Sequence, residues 1–435
     1  MDRELKRRLV ANCKPDEPIE PGDPRHFDFD TPELCLRGDP WREWLSQAID
    51  LNDSPTAQVV TGLRGSGKTT ELKQFESDLS SRDYRVILAD IGAWLSDTRP
   101  IVGEDLLLAA VLAIHPDGNP AGTSGWWKET SERIAKFFKS RVDLEGGALG
   151  VKAKLTTDDT LFQKVAQRLR EADGTREEIH EILAAADEAA RRDSEGLVLI
   201  LDGAEKRATG DFYGNHERTT YHNHWFGAFI HNARDLKLPV HVVYTVPPFM
   251  IRRSAEIAAQ FTGELGFLPM VRVLEHDGSV HAPGLEAMVR ALRLRVPAEH
   301  FESPAIEAWL ALHSGGYFRD LLRFINAMVL SIDGGQSRFT KQHADAAIER
   351  VRESYRNGFI VEEKAVLRQL HPARVFPESE PNLARMDALL QGFKMFRYHN
   401  GKSWYDAHPL LWTELNWADG LPTFEKIEAE FSNIE

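Results

Sequence analysis

Short apolar runs alternate with stretches of helical period along the first two thirds of the chain. Ala57 to Thr61 (AQVVT) is β-prone and leads into a glycine-rich turn, after which Leu72, Phe75 and Leu79 recur on one face of a helix. The turn residues Ser80 to Asp83 separate that helix from a second apolar run, Val86 to Ala89, the return strand of a βαβ unit. Ile179, Ile182, Leu183 and Ala186 mark another helix, broken at Asp193 to Gly196. Leu197 to Leu201 then runs apolar without interruption, as suits a strand buried on both faces. Val240 to Thr245 stops at Pro247 and Pro248, and a run at about Met270 to Leu274 supplies a fifth strand. The alternation predicts a doubly wound α/β domain on a parallel sheet.

After residue 283 the period is helical throughout. Leu285, Met288, Val289 and Leu292 form one stripe, and Phe318, Leu321, Leu322, Ile325, Met328 and Val329 another, predicting a separate helical domain. Near the end, Asn400-Gly401 sits between aromatic-rich runs in FKMFRYHNGKSWYDAHP, a hairpin signal that after helices suggests a winged helix. Two segments break the pattern. Residues 1–40 are rich in Pro, Asp and Glu without sustained period and read as an extended arm. Residues 115–175 cluster Gly and Pro, carry Trp126 and Trp127, and read as an insertion with a hairpin over Val142 to Leu155 around Gly146 and Gly147. The expected organisation is arm 1–40, α/β domain 41–275, helical lid 276–356 and winged-helix-like domain 357–435.

A chain of 435 residues supports two or three such domains. Its formal charge of −14 repels phosphate backbones, which disfavours broad nucleic-acid binding. The two cysteines, Cys13 and Cys35, make no disulfide framework or metal spacing, and fit a reducing compartment. The amino terminus has no apolar core of a signal segment, and the longest apolar run, Leu106 to Ile114, is far short of a bilayer span. The expectation is a soluble cytoplasmic protein with no membrane partner.

The strongest chemical signal is the turn after the first strand. Gly62-Leu63-Arg64-Gly65-Ser66-Gly67-Lys68-Thr69 satisfies G-x-x-x-x-G-K-[ST] at every fixed position and lies between a predicted strand and a predicted helix. In such a loop the glycines let successive N–H groups point at phosphate oxygens while the helix presents the positive end of its dipole. Gly62, Arg64, Gly65, Ser66, Gly67, Lys68, Thr69 and Thr70 are therefore the expected nucleotide contacts. Lys68 would reach the β and γ phosphates, and Thr69 would give its hydroxyl to magnesium.

Further candidates follow downstream. Asp202 closes the apolar strand at its carboxyl edge, where open α/β sheets bind ligands, and is the expected second magnesium partner. Glu205 lies near enough to orient or deprotonate an attacking water, or else is a solvated turn residue. Thr245 ends the next strand and either touches the γ phosphate or the water, or is an ordinary β-branched residue. Arg319 opens a helix after Ser314-Gly315-Gly316, from which its guanidinium either reaches back to the nucleotide or stands as a solvated helix arginine. Arg252 and Arg253 read first as an exposed basic pair, with a role in a neighbouring subunit's site as the alternative. His216, His222, His224 and His231 lack the spacing of a zinc enzyme.

Together these residues resemble the AAA-type ATPases: RGSGKTTEL as the P-loop, LVLILDGAEK as the acidic strand, HVVYTVPP as sensor 1 and SGGYFRDLLRF as sensor 2, in that order. More narrowly the chain is similar, over residues 30–415, to bacterial AAA-type and STAND-like ATPases with a helical lid and a winged-helix end, a group often linked with conflict or defence systems. The resemblance implies ATP and magnesium as cofactors and water activation near Asp202 and Glu205. It also implies sensor 2 at Arg319, and homo-oligomers whose interfaces complete the sites. Gly203 and Ala204 stand between Asp202 and Glu205, where the family often places an acid directly after the aspartate. The Ser-Gly-Gly of ABC-type ATPases precedes their acidic strand, whereas here Ser314 follows Asp202, and no Asn-Lys-x-Asp guanine motif occurs.

Three functions remain open at this point. The first is an ATP-hydrolysing oligomeric switch or motor, with antiviral defence as its setting. The second is a nucleotide-bound scaffold with little turnover that holds an effector protein encoded nearby. The third is a DNA-binding regulator using Arg397, His399, Lys402 and Trp404 on or near the wing, which the surrounding acidity disfavours.

Overall fold

The computed structural model describes residues 1–95, 101–114, 125–142, 159–171, 174–204, 222–333, 335–377, 379–417 and 420–431. The chain divides into two compact units. One comprises Arg42–Thr61 and Glu71–Phe267; the other joins Met1–Trp41, Gly62–Thr70 and Leu268–Glu435.

The first unit carries the sheet. Its strands are β1 (Ala57–Gly62), β2 (Arg85–Asp90), β3 (Leu197–Asp202), β4 (His241–Val246) and the short β5 (Gly266–Leu268), in the order β2-β3-β4-β1-β5. Three pairings are parallel: β2 with β3 (Arg85 opposite Leu197), β3 with β4 (Val198 opposite His241) and β4 with β1 (Val242 opposite Ala57). Every residue of β1, β3 and β4 is buried, as a parallel sheet covered on both faces demands. The apolar run at Leu106 to Ile114 is the body and C-cap of the helix Gly103–Ala113, whose residues are buried almost all round, so it is a core helix. Asp187 ties the helix Thr175–Ala190 to the sheet: one carboxylate oxygen accepts from Leu197 N (2.8 Å) and the other from Arg191 Nε (2.7 Å). The region expected as an insertion forms helices Gly125–Val142 and Asp159–Glu171 among its described residues. Their Phe137, Phe138 and Phe162 join the same core as Leu199 and Leu201. Val142 ends the first of these helices, and the rest of the expected hairpin lies outside the described residues.

The fifth strand is not where the apolar pattern put it. β5 ends at Leu268, and Met270 to Leu274, though largely buried, has its backbone taken up elsewhere. Met270 N donates to Arg397 O, Arg272 N to Leu36 O, and Val273 O accepts from His281 N. A Cβ on Gly316, whose φ is +77°, would lie 1.8 Å from Val271 O, so that close crossing of two backbones requires glycine.

The second unit is mainly helical, with the antiparallel hairpin β6 (Met395–His399) and β7 (Ser403–Ala407) turning at Asn400 and Gly401. Helix Phe318–Ser331 buries the predicted stripe from Leu321 to Val329, with Phe318 half-buried, and its Asp320 is fully enclosed. That carboxylate accepts from Tyr355 Oη (2.7 Å), Arg323 Nη1 (2.8 Å) and His408 Nε2 (2.9 Å), so the buried charge is paired and joined to the segment after β7. The expected extended arm contains a helix, Arg3–Asn12, capped by Asp2, which accepts from Leu5 N. Only Leu9 is buried, too few positions to register as a period. No helix among the described residues is long and apolar enough to cross a membrane.

Candidate nucleotide-binding site

The turn expected to hold phosphate spans the end of β1 and the start of the helix Lys68–Ser81. Ser66 N donates to Leu63 O (3.1 Å), closing a tight turn, and both Gly65 (φ +80°) and Gly67 (φ +94°) adopt left-handed backbone. L side chains rarely accept that conformation, which explains why the spacing needs glycine. A Cβ on Gly65 would lie 2.6 Å from Arg319 Cδ and 2.7 Å from Tyr317 Oη, whereas over Gly67 the nearest atom is Arg37 Nη1 at 3.9 Å. The Ser66 hydroxyl is buried and has no hydrogen-bond partner among the described residues. Lys68 is buried at the first helical position, Thr69 is half-buried beside it and Arg64 is exposed. A left-handed turn with room above Gly67, a hydroxyl awaiting a partner and a helix amino terminus fit a polyphosphate.

The rest of the second unit frames this turn. Tyr317, the cap of helix Phe318–Ser331, donates its hydroxyl to Arg64 O (2.6 Å), and burial pushes its pKa up, so it stays a donor. The arm reaches the turn as well: Ile19 N donates to Thr70 Oγ1 (3.1 Å). Arg319 lies along Gly65 with its guanidinium bound to the Asp16 carboxylate. Arg37 is buried, paired with Asp30 at 2.9 Å and set 5.3 Å above the Phe29 ring. Tyr317, Arg37 and Asp16 were missed by sequence reasoning. An arm without period gives no signal for such contacts, and Tyr317 is legible only as a neighbour of Arg319.

The acidic strand end belongs to the first unit. Asp202 is buried at the carboxyl end of β3, in register with Asp90 of β2. Thr245 Oγ1 accepts from Gly203 N (3.0 Å) and donates to Leu201 O (3.4 Å), bracketing Asp202 on both sides. Its hydroxyl therefore holds the strand end. Glu205 lies outside the described residues, as does His216. Arg253 pairs with Glu256 and stands 5.0 Å over Phe226, so it is engaged within its own chain. His222 packs 4.1 Å from the Phe249 ring, and among the described residues no cluster of His, Cys, Asp or Glu could hold a metal by itself. Near the hairpin, Arg397 donates to Ser403 Oγ (2.6 Å), Trp404 is buried against Tyr398 (4.4 Å), and His399 faces Asp39 (3.2 Å). Lys402 alone of the four expected DNA contacts is exposed.

No protein-family model matches the sequence, and no curated protein does. Among solved structures, the chain is similar to the Walker-type ATPase PABY2304 of Pyrococcus abyssi, with 16% identity over 86% of this chain and 95% of that one, at a TM-score of 0.41. It is also similar to the Aeropyrum pernix ORC2 protein in its ADPNP-ADP complexes, with 12% identity over 98% and 99% of the two chains and the same TM-score of 0.41. Overlap at that level decides nothing about function, which rests on the site.

Proposed function

We propose that this chain is an ATPase that binds ATP and magnesium at Gly62–Thr70 and hydrolyses the terminal phosphoanhydride, as an AAA-type oligomeric switch or motor. The glycine turn carries this reading: two left-handed glycines, a Ser66 hydroxyl without a hydrogen-bond partner among the described residues, and Lys68 at a helix start form a cradle suited to phosphate. In this reading the backbone N–H groups of the turn hold the phosphates, Lys68 neutralises the β and γ oxygens, and Thr69 offers its hydroxyl to the metal. Magnesium, when bound, offsets charge on the phosphate oxygens. Asp202 is its expected acidic partner, Glu205 orients the attacking water, and Thr245 keeps the strand end in place. Arg319 exchanges the Asp16 carboxylate for the γ phosphate.

Phosphate release and titration with a fluorescent ATP analogue test the reading together. Lys68→Ala is expected to abolish turnover, and chelation of divalent metal to stop the wild-type protein until magnesium is restored; undiminished hydrolysis by Lys68→Ala sinks the proposal. Oligomers, a nearby effector protein and a role in antiviral defence draw their support from the motif resemblance alone, and a cytoplasmic setting from the two cysteines and the short apolar runs. The spacing Asp202-Gly203-Ala204-Glu205 favours a second reading, a nucleotide-bound scaffold. That protein would retain bound ATP through gel filtration without releasing phosphate.

A further inference from the structure

The helical unit also holds a cavity of about 320 Å³, none of whose lining residues belongs to the glycine turn. That size lies at the lower end of small-molecule sites, which are mostly apolar and aromatic with a few placed polar groups. Trp309 and His313 line it from helix Pro304–Ser314, Lys341 from helix Lys341–Arg356, and Trp412, Trp417 and Phe424 from the carboxyl-terminal segment. The indoles of Trp309 and Trp412 have their polar edges satisfied: Trp309 Nε1 donates to Asp345 Oδ1 (2.9 Å) and Trp412 Nε1 to Ala407 O (3.0 Å). What they have left to offer is ring surface. Lys341 is likewise committed, paired with Asp345 at 2.6 Å.

His313 differs from them. It is 6% exposed, and its Nδ1 lies 2.9 Å from Trp309 O, a carbonyl that only accepts, so Nδ1 carries the proton. The other ring nitrogen, Nε2, is then an acceptor, and no hydrogen bond to it occurs among the described residues. Burial pulls the His313 pKa down to about 4, so the ring stays neutral at ordinary pH and keeps this acceptor. An acceptor left open in an aromatic-lined cavity asks for a flat ligand with a donor on its edge.

We propose that this cavity binds a small planar heteroaromatic compound whose ring N–H donates to His313 Nε2 while its face lies against the tryptophan rings. The volume suits a fused bicycle. Benzimidazole and 1-methylbenzimidazole, alike except that the second has no N–H, separate this from simple apolar filling. Isothermal titration of the full chain is expected to give saturable binding of benzimidazole, roughly tenfold tighter than its methyl derivative, because the derivative leaves Nε2 unpaired. His313→Phe is expected to remove the difference while leaving phosphate release unchanged. If that variant fails to fold, the ¹⁵N resonance of His313 Nε2 in the histidine-labelled wild type provides the answer, since a new hydrogen bond shifts it on addition of benzimidazole. Equal affinity for the two compounds, no saturable binding, or an unmoved Nε2 resonance overturns the proposal.

Discussion

The glycine turn and the acidic strand end are built by opposite means. Asp202 is placed by a parallel ladder, with Asp90 opposite it in register and one side chain, Thr245, bracketing it through backbone groups two positions apart. The turn from Gly62 to Thr70 has no ladder beyond its first residue. Its shape comes from two left-handed glycines and from side chains and backbone far away in sequence, Tyr317 on Arg64 and Ile19 on Thr70. Regular structure needs few specific residues to hold a carboxylate in place, whereas a turn outside it needs many partners, each of which becomes a point of control.

The contrast predicts where damage shows. Gly65→Val has the largest expected effect: a β-branched residue at φ +80° that also meets Tyr317 and Arg319 should weaken ATP affinity by roughly tenfold to a hundredfold, read by nucleotide titration. Next comes Thr245→Val, which keeps shape but leaves Gly203 N–H without its acceptor. It should cost about 1–3 kcal/mol in denaturant unfolding and lower turnover, with ATP affinity within twofold of wild type. Loss of affinity there would erase the distinction between the two regions. Tyr317→Phe removes one hydrogen bond from the turn, and a cost of about 1 kcal/mol should appear mainly as a higher KM for ATP. Asp16→Asn has the smallest expected effect. Releasing Arg319 from an exposed carboxylate should tighten ATP binding by about twofold at low salt and by less at high salt.

The same contrast governs what was legible beforehand. β3 could be read because it is an unbroken apolar run, β1 and β4 because β-branched residues dominate them, and the turn because its requirements are local and fall at fixed spacing. Met270 to Leu274 carried the same apolar pattern and misled. Burial alone produces that pattern, and where the backbone hydrogen bonds go leaves no trace in it. Thr245 was visible as a residue worth attention, but its role depends on Gly203 and Leu201 of another strand. The pairing of Arg319 with Asp16 joins positions about three hundred residues apart, which no local reading recovers. The unpartnered acceptor of His313 appears only once Trp309 is seen to take the other nitrogen.

Tyr317 has a second face whose consequence is mechanical. Its ring stacks on Phe393 at 5.6 Å and meets Phe396 of β6 at 5.4 Å, while its hydroxyl grips the backbone of the turn. A phenol wedged this way behaves as a gear tooth. If filling the turn with phosphate displaces the Arg64 carbonyl, the ring must tilt with it, and the aromatic layer under the carboxyl-terminal hairpin must either follow or open a gap.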